Sequence, residues 1–148
     1  MTFTNRSGNI IIHVLLPLLF AVSIYIGFRT SRLAMFEWLE SVGMGSLVSV
    51  IRDALSPLCD CIPPWVVFSL PDGLWLYAFI SMLIIIWGKS RSASRYWIGS
   101  AIVFSICSEV FQAFGWYRGT FDFTDLFMYA ILGLTPLVTI NSKYEIKT

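Results

Sequence analysis

A cluster of polar residues interrupts an otherwise apolar hairpin between positions 105 and 133. In chain order its members are Glu109, Gln112, Arg118, Asp122 and Asp125. Glu109 and Gln112 share one face of a helix because they are three residues apart. Carboxylates at the first turn of a helix bond to its free N–H groups, which suits Asp122 and Asp125 at the start of the second apolar segment. Such a set can hold a polar group through paired, charge-assisted hydrogen bonds. It can also supply an acid or base, with Glu109 as the candidate.

A carboxylate in an apolar segment has an energetic cost that calls for an explanation. Glu109 lies five residues before Phe114, so it is ~7 Å inside the end of the predicted helix. A charge costs roughly 2.5–3.5 kcal/mol at the centre of a membrane helix and less near its ends. Arg29 and Arg118 are the candidate counter-charges, and Asp72 begins another apolar segment. The structural alternative is that the aspartates only cap helices and that Glu109 only fixes helix packing.

The composition predicts a membrane protein. Of 148 residues, 57% are hydrophobic and 13% are charged, whereas soluble domains carry about 25% charged residues. The net charge of +1 provides no basic field for a nucleic acid. No spacing of His or Cys matches a metal site, and no cofactor motif is present. Cys59 and Cys61 are interpreted as free loop residues, with a strained disulfide between them as the alternative.

The hydrophobic pattern predicts an all-α, polytopic membrane protein with a single domain over 1–148. Four transmembrane helices are expected at about 9–28, 72–88, 96–114 and 124–140, because each run approaches the ~20 residues that cross a bilayer. Between the first two, apolar residues recur every three to five positions, which indicates one or two interfacial amphipathic helices. A break is expected at 44–46. The proline-rich stretch 56–71 is expected to be an ordered loop.

The distribution of basic residues predicts the topology. With four spans, the N-terminus, the 89–95 loop and the C-terminus share one side, which carries six Lys and Arg residues against four on the other side. The positive-inside rule therefore places both termini in the cytoplasm. Arg29, Asp72, Glu109, Asp122 and Asp125 then meet at the extracytoplasmic face.

These residues resemble the pattern of the VanZ-like family of small bacterial membrane proteins. That family shows Glu-x-x-Gln near the end of one helix, then Arg, then two Asp three apart. Here the matching residues are Glu109, Gln112, Arg118, Asp122 and Asp125, with Arg29 ending the first helix and Asp72 opening the second. The chain departs from the family in a longer Arg118–Asp122 spacing and in Tyr129, where the family has Asn.

The resemblance implies a multi-pass protein of the bacterial cytoplasmic (inner) membrane. We expect an extracytoplasmic polar pocket, lined by the seven residues above, that binds an envelope lipid or a cell-wall component. One alternative is an accessory or structural subunit of a larger membrane complex. A second alternative is an enzyme at the membrane edge that uses Glu109 as an acid or base. No metal, cofactor or nucleic-acid partner is expected, and the lipid bilayer is the expected surrounding.

Overall fold

The computed structural model describes residues 3–30, 34–59, 61–87, 91–116 and 119–140. Every regular element in these ranges is helical, which agrees with the predicted all-α class. The α-helices are α1 (Phe3–Ile10), α2 (Leu16–Phe28), α3 (Ala34–Ser41), α4 (Gly45–Leu55), α5 (Pro64–Phe68), α6 (Leu70–Trp87), α7 (Arg91–Ala113) and α8 (Phe123–Thr139).

The first apolar helix is continuous but changes its winding near the middle. A π-helical segment, Ile11–Leu15, joins α1 to α2. Pro17 follows at the start of α2. Proline lacks an N–H, so Pro17 cannot donate the backbone hydrogen bond of an α-helix. The π-helical hydrogen-bond pattern just before it accommodates the missing bond. His13 lies in the π segment and its Nδ1 is 2.6 Å from the Tyr77 hydroxyl of α6.

The segment between the first and second long helices contains three short helices. The chain reverses between α3 and α4 at Gly43, whose φ is 79°. The N–H of Met44 bonds to Leu39 O, and that of Gly43 bonds to Glu40 O, which is the Schellman arrangement at a helix C-terminus. The break therefore lies two residues earlier than predicted. The proline-rich stretch also differs from the expected loop, because it contains a 3-10 turn at Ser56–Leu58 and the helix α5.

Helix α6 is the centre of the bundle and contacts α2, α7 and α8. Tyr25 of α2 meets Asp72 near the start of α6, while Val14 packs near its middle and end, so these helices are antiparallel. Trp87 at the end of α6 stacks on Trp97 near the start of α7, with ring centroids 6.1 Å apart. Helix α7 is therefore antiparallel to α6 as well.

Helix α8 runs parallel to α6 along its length. Ser69 meets Thr124, Gly73 faces Met128 and Leu132, and Leu76 faces Gly133. Further along, Ile140 joins the main core with Ile80, Leu83 and Ile84 of α6. These relations place the end of α2, the start of α6, the end of α7 and the start of α8 at the same end of the bundle.

Within the described ranges, three helices are long and apolar enough to cross a membrane: Arg6–Phe28, Leu70–Trp87 and Ser94–Ala113. Helix α8, Phe123–Thr139, is apolar but shorter. Large apolar side chains are exposed on the outside of the bundle, among them Leu19 and Phe20 of α2, Phe104 of α7 and Val138 of α8. Such an apolar surface is favourable in contact with the hydrocarbon of a membrane and unfavourable in water. The chain is therefore a membrane-type helical protein.

Candidate functional site

Arg29 lies immediately after the end of α2, in extended backbone conformation with ψ of 158°. Its guanidinium carbon is 5.1 Å from the ring centroid of Tyr25 and 4.8 Å from that of Phe68. Both distances are within the range of cation–π attraction. The Nε of Arg29 is buried and has no hydrogen-bond partner among the described residues. The side chain is thus held by rings, and a donor remains unused.

Arg52 of α4 binds backbone carbonyl groups at the end of α2, including that of Arg29. Its Nη1 donates to Arg29 O at 2.8 Å and to Ile26 O at 3.2 Å. The last carbonyls of a helix lack partners within the helix, and cations are favoured there. Arg52 therefore caps α2 and joins α4 to the site.

Asp72 lies in the first turn of α6 and points between helices. Its Oδ1 accepts a hydrogen bond of 2.9 Å from the Tyr25 hydroxyl. The charges of Arg29 and Asp125 are close enough to act on it. Tyr25 is one turn before Arg29 on α2, so a single face of that helix supplies a ring for the arginine and a hydroxyl for the aspartate.

The two aspartates of α8 have different roles. Asp122 is the N-cap, and its Oδ1 accepts a 2.9 Å hydrogen bond from the Thr124 N–H. This backbone bond, with a smaller contribution from the Thr124 side chain, lowers the pKa of Asp122 below its ordinary value. Its side chain is exposed. Asp125 instead faces inward beside Ser69, and its Oδ1 is buried without a hydrogen-bond partner in the described part of the chain.

Glu109 is the most enclosed ionisable side chain that the structure describes at this end. Only 2% of it is exposed. Its Oε2 has no hydrogen-bond partner among the described residues. The carboxylates of Asp125 and Asp72 are near enough to repel it, and the backbone of Asp122 lies beside it. The backbone of Asp122 supplies one hydrogen bond to this carboxyl group, but leaving a buried oxygen such as Oε2 unpaired among the described residues is costly.

Gln112 lies at the connection between α7 and α8. The side chain of Gln112 lies against Gly119, where an added Cβ would be 2.5 Å from Gln112 Oε1. Gly119 has φ of 144°, which favours glycine. Gln112 thus supports the α7–α8 connection. Arg118 lies outside the described residues, so its predicted role as counter-charge stays a prediction.

Tyr129 is the residue that sequence reasoning missed at the centre of the site. It lies one turn after Asp125 on α8, half-buried, and is close enough to Asp72, Glu109, Asp125 and Tyr25 to interact with each of them. The four-residue spacing from Asp125, like that of Tyr25 from Arg29, is the signal that could have identified both tyrosines. We call Tyr25, Arg29, Asp72, Glu109, Asp125 and Tyr129 the polar cluster.

A crevice of about 370 Å³ leads from the polar cluster along the groove between α6 and α7. Asp72, Ser105 and Ser108 line it near the cluster, and Tyr129 contributes from α8. Farther along, its walls are aromatic and include Trp75, Phe79 and Phe104. These three side chains are also exposed on the outside of the bundle. The crevice therefore opens sideways, toward the apolar surroundings.

The polar cluster contains three carboxyl groups and a single guanidinium, so its described charge is acidic. No three His, Cys, Asp or Glu side chains within the described ranges are placed to hold a metal ion. Cys59 and Cys61 are free and exposed, and they lie in the short connection after α4. Chemically, the cluster can bind a polar or charged group next to an apolar chain, or exchange a proton with it.

Comparisons with protein-family models, curated proteins and solved structures find no match for this chain. The resemblance to the VanZ-like family rests on the residues quoted above and stays a prediction.

Proposed function

We propose that this chain is a VanZ-like, multi-pass protein of the bacterial inner membrane that binds the headgroup of an envelope lipid or lipid-linked cell-wall component. In this proposal the polar cluster lies at the extracytoplasmic edge of the membrane. Both termini are cytoplasmic, and α8 forms the fourth crossing. The parallel course of α6 and α8 supports the fourth crossing, because two helices in lateral contact from end to end occupy the same depth.

The observation that carries the proposal is the enclosed carboxylate of Glu109. Its Oε2 is buried beside Asp72 and Asp125 and has no partner in the part of the chain that the structure describes. Strain and unpaired polar groups of this kind persist mainly at functional sites. The adjacent crevice opens to the apolar exterior, which suits a ligand with a polar head and a hydrocarbon tail.

Native mass spectrometry of the gently extracted, full-length protein tests this function. We expect the wild type to retain lipid, and Glu109→Gln to retain at least about fivefold less, since one charged contact contributes roughly 1.5–3 kcal/mol. Glu37→Gln makes the same chemical change at an exposed position of α3 and should retain lipid normally. A wild-type protein that carries no lipid, with its helical content intact, would contradict the proposal.

A second candidate function, an enzyme at the membrane edge, is favoured by the same side chain. Three carboxyl groups in a shared, poorly solvated site are the setting in which an acid or base is tuned for proton transfer. The test is incubation of the purified protein with total lipid extract, followed by analysis for new products. Product formation that survives Glu109→Gln would exclude Glu109 as the acid or base.

A further inference from the structure

The crevice between α6 and α7 presents hydrogen-bond acceptors and aromatic rings at its polar end. Asp72 Oδ1 is already occupied by the Tyr25 hydroxyl, which leaves the other carboxylate oxygen available. Ser105 and Ser108 donate their hydroxyl protons to backbone carbonyls of α7, at 3.0 Å and 2.7 Å. Their oxygens therefore face the crevice as acceptors. No Lys, Arg or His is among the described residues that line it.

The charge around the crevice has the same sign. Glu109 lies one turn beyond Ser105 on the same face of α7, and Asp125 lies one turn before Tyr129 on α8. Neither lines the crevice itself, but both lie beside its polar end, and each has a buried oxygen without a partner in the described ranges. Arg29, the cation of the cluster, stacks on Tyr25 and Phe68, on the side formed by α2 and α5. Arg29 still acts on Asp72 and Asp125, whereas no described cation acts on Glu109, so three carboxyl groups face one cation and the site is acidic overall.

The walls of the crevice suit a cation with an attached hydrocarbon chain. Trp75 and Phe79 on α6 and Phe104 on α7 give it aromatic faces, which attract cations within about 6 Å of a ring centroid. From Asp72 to Phe79 the crevice extends along α6 for about 10 Å at the helical rise of ~1.5 Å per residue. Phe104 lies at the outer edge of the crevice and is 78% exposed. An acyl chain that leaves the crevice there enters the hydrocarbon of the membrane.

We propose that the crevice between α6 and α7 binds a lipid whose headgroup carries a primary ammonium group, with the ammonium at Asp72 and the acyl chains passing Phe79 and Phe104. This inference rests on the proposed lipid-binding function and names the chemical class of the ligand. The polar groups that line the crevice are Asp72, Ser105, Ser108 and Tyr129, and they can accept hydrogen bonds from an ammonium group.

The test is native mass spectrometry of the full-length protein in detergent, titrated with phosphatidylethanolamine or with phosphatidylglycerol of identical acyl chains. We expect phosphatidylethanolamine to bind about tenfold more tightly to the wild type. Asp72→Asn should bring the two lipids within about twofold, since Asn can still accept the Tyr25 hydrogen bond but carries no charge. Asp53→Asn, the same change at an exposed position of α4, should keep the preference.

A second variant keeps the test decisive if Asp72→Asn does not fold. Ser105→Leu fills the crevice and leaves the polar cluster in place, so it should weaken phosphatidylethanolamine binding about tenfold while the thermal midpoint stays unchanged. Equal binding of both lipids, or tighter binding of phosphatidylglycerol, overturns the ammonium inference and leaves the lipid-binding function standing. Failure of both lipids to bind the folded wild type overturns both proposals.

Discussion

At the scale of single residues, the site depends on charged side chains whose surroundings are energetically unfavourable for them. Glu109 is enclosed beside other acids, and Arg29 is surrounded by rings with a donor left unused. The unpartnered Oε2 of Glu109 and Nε of Arg29 each carry an energetic cost, although the two rings attract the Arg29 guanidinium. Binding sites commonly contain such groups, because the cost of leaving them unpaired is recovered when a ligand arrives.

We therefore expect Glu109→Gln to stabilise the ligand-free protein. The amide removes the repulsion from Asp72 and Asp125, with a gain on the order of 1 kcal/mol, or about 2–4 °C in Tm for a chain of this size. Thermal unfolding of the delipidated protein, followed by circular dichroism, measures the change. Glu37→Gln is the matched control and should leave Tm within about 1 °C. A lower Tm for Glu109→Gln would show that the carboxylate is stabilising.

The lowered pKa of Asp122 predicts the direction in which the stability of the fold changes with pH. Its pKa is lower in the folded protein, through the hydrogen bond from Thr124, than in the unfolded chain. The stability that it contributes is thus fully present above its unfolded pKa of about 4 and is lost as the pH falls through the folded value. Asn is also a good N-cap but does not titrate.

The measurement is Tm of the wild type and of Asp122→Asn as a function of pH. The wild type should lose Tm relative to the variant once the pH falls below about 4. Above about pH 5 the difference between the two should be constant. A difference that does not change with pH throughout would mean that the Asp122 carboxylate does not cap α8.

The sequence indicated the main charged members of the site and missed the residues that hold them. Arg29, Asp72, Glu109 and Asp125 stand out because charge is rare in apolar helices. Tyr25 and Tyr129 do not stand out, since tyrosines near helix ends are expected in any membrane protein. Arg52 also gave no signal, because its carbonyl partners on α2 are 23 and 26 residues away.

At the scale of elements, the positions of the long helices were predicted well and the short ones less so. The predicted spans 72–88 and 124–140 differ from α6 and α8 by one or two residues. Helix α7 begins five residues before the predicted 96, because helical structure extends beyond the apolar run. Helix α5 was missed since Pro63 and Pro64 were interpreted as loop residues, although proline at the first position of a helix is favourable.

The contact between α6 and α8 depends on the absence of a side chain at Gly73. An added Cβ would lie 2.7 Å from Leu132 Cδ1, 3.0 Å from Met128 Cβ and 3.3 Å from Met128 O. Gly73→Ala should therefore separate the helices and cost about 1–3 kcal/mol. Denaturation in mixed micelles measures this cost.

Gly99 of α7 provides the matched control for that substitution. Nothing lies within 4 Å of its added Cβ, so Gly99→Ala should be neutral or stabilising by up to about 1 kcal/mol, because alanine favours the helix. Equal effects at the two glycines would contradict the close packing of α6 on α8.

At the scale of the whole molecule, the number of membrane crossings decides where the polar cluster lies. With four crossings both termini share one side, and Cys59 and Cys61 lie on the other together with the cluster. Three crossings would require α8 to leave its contact with α6 and to lie on the extracytoplasmic surface, with the C-terminus on the side of the cysteines. Helix α8 has 17 residues and is shorter than the three candidate spans, so its crossing is the one to test.

The native cysteines allow the number of membrane crossings to be measured. Cys59 and Cys61 are free and exposed, whereas Cys107 is half-buried on α7. A membrane-impermeant maleimide added to intact spheroplasts should label the wild type and not the Cys59→Ser, Cys61→Ser double variant. Alkaline phosphatase fused to the C-terminus should be inactive, as it is in the cytoplasm. An active fusion together with labelled cysteines would indicate three crossings.

The glycine contact at α6 has a consequence for how a guest molecule is accommodated. At Gly73 the backbone of α6 packs directly against α8, which leaves no room for these two helices to shift. Helix α7 has few buried residues and borders the crevice on its open side. We therefore expect the crevice to widen by movement of α7 rather than at the contact between α6 and α8. Because Glu109 lies on α7, such movement would shift its carboxylate together with the wall of the crevice.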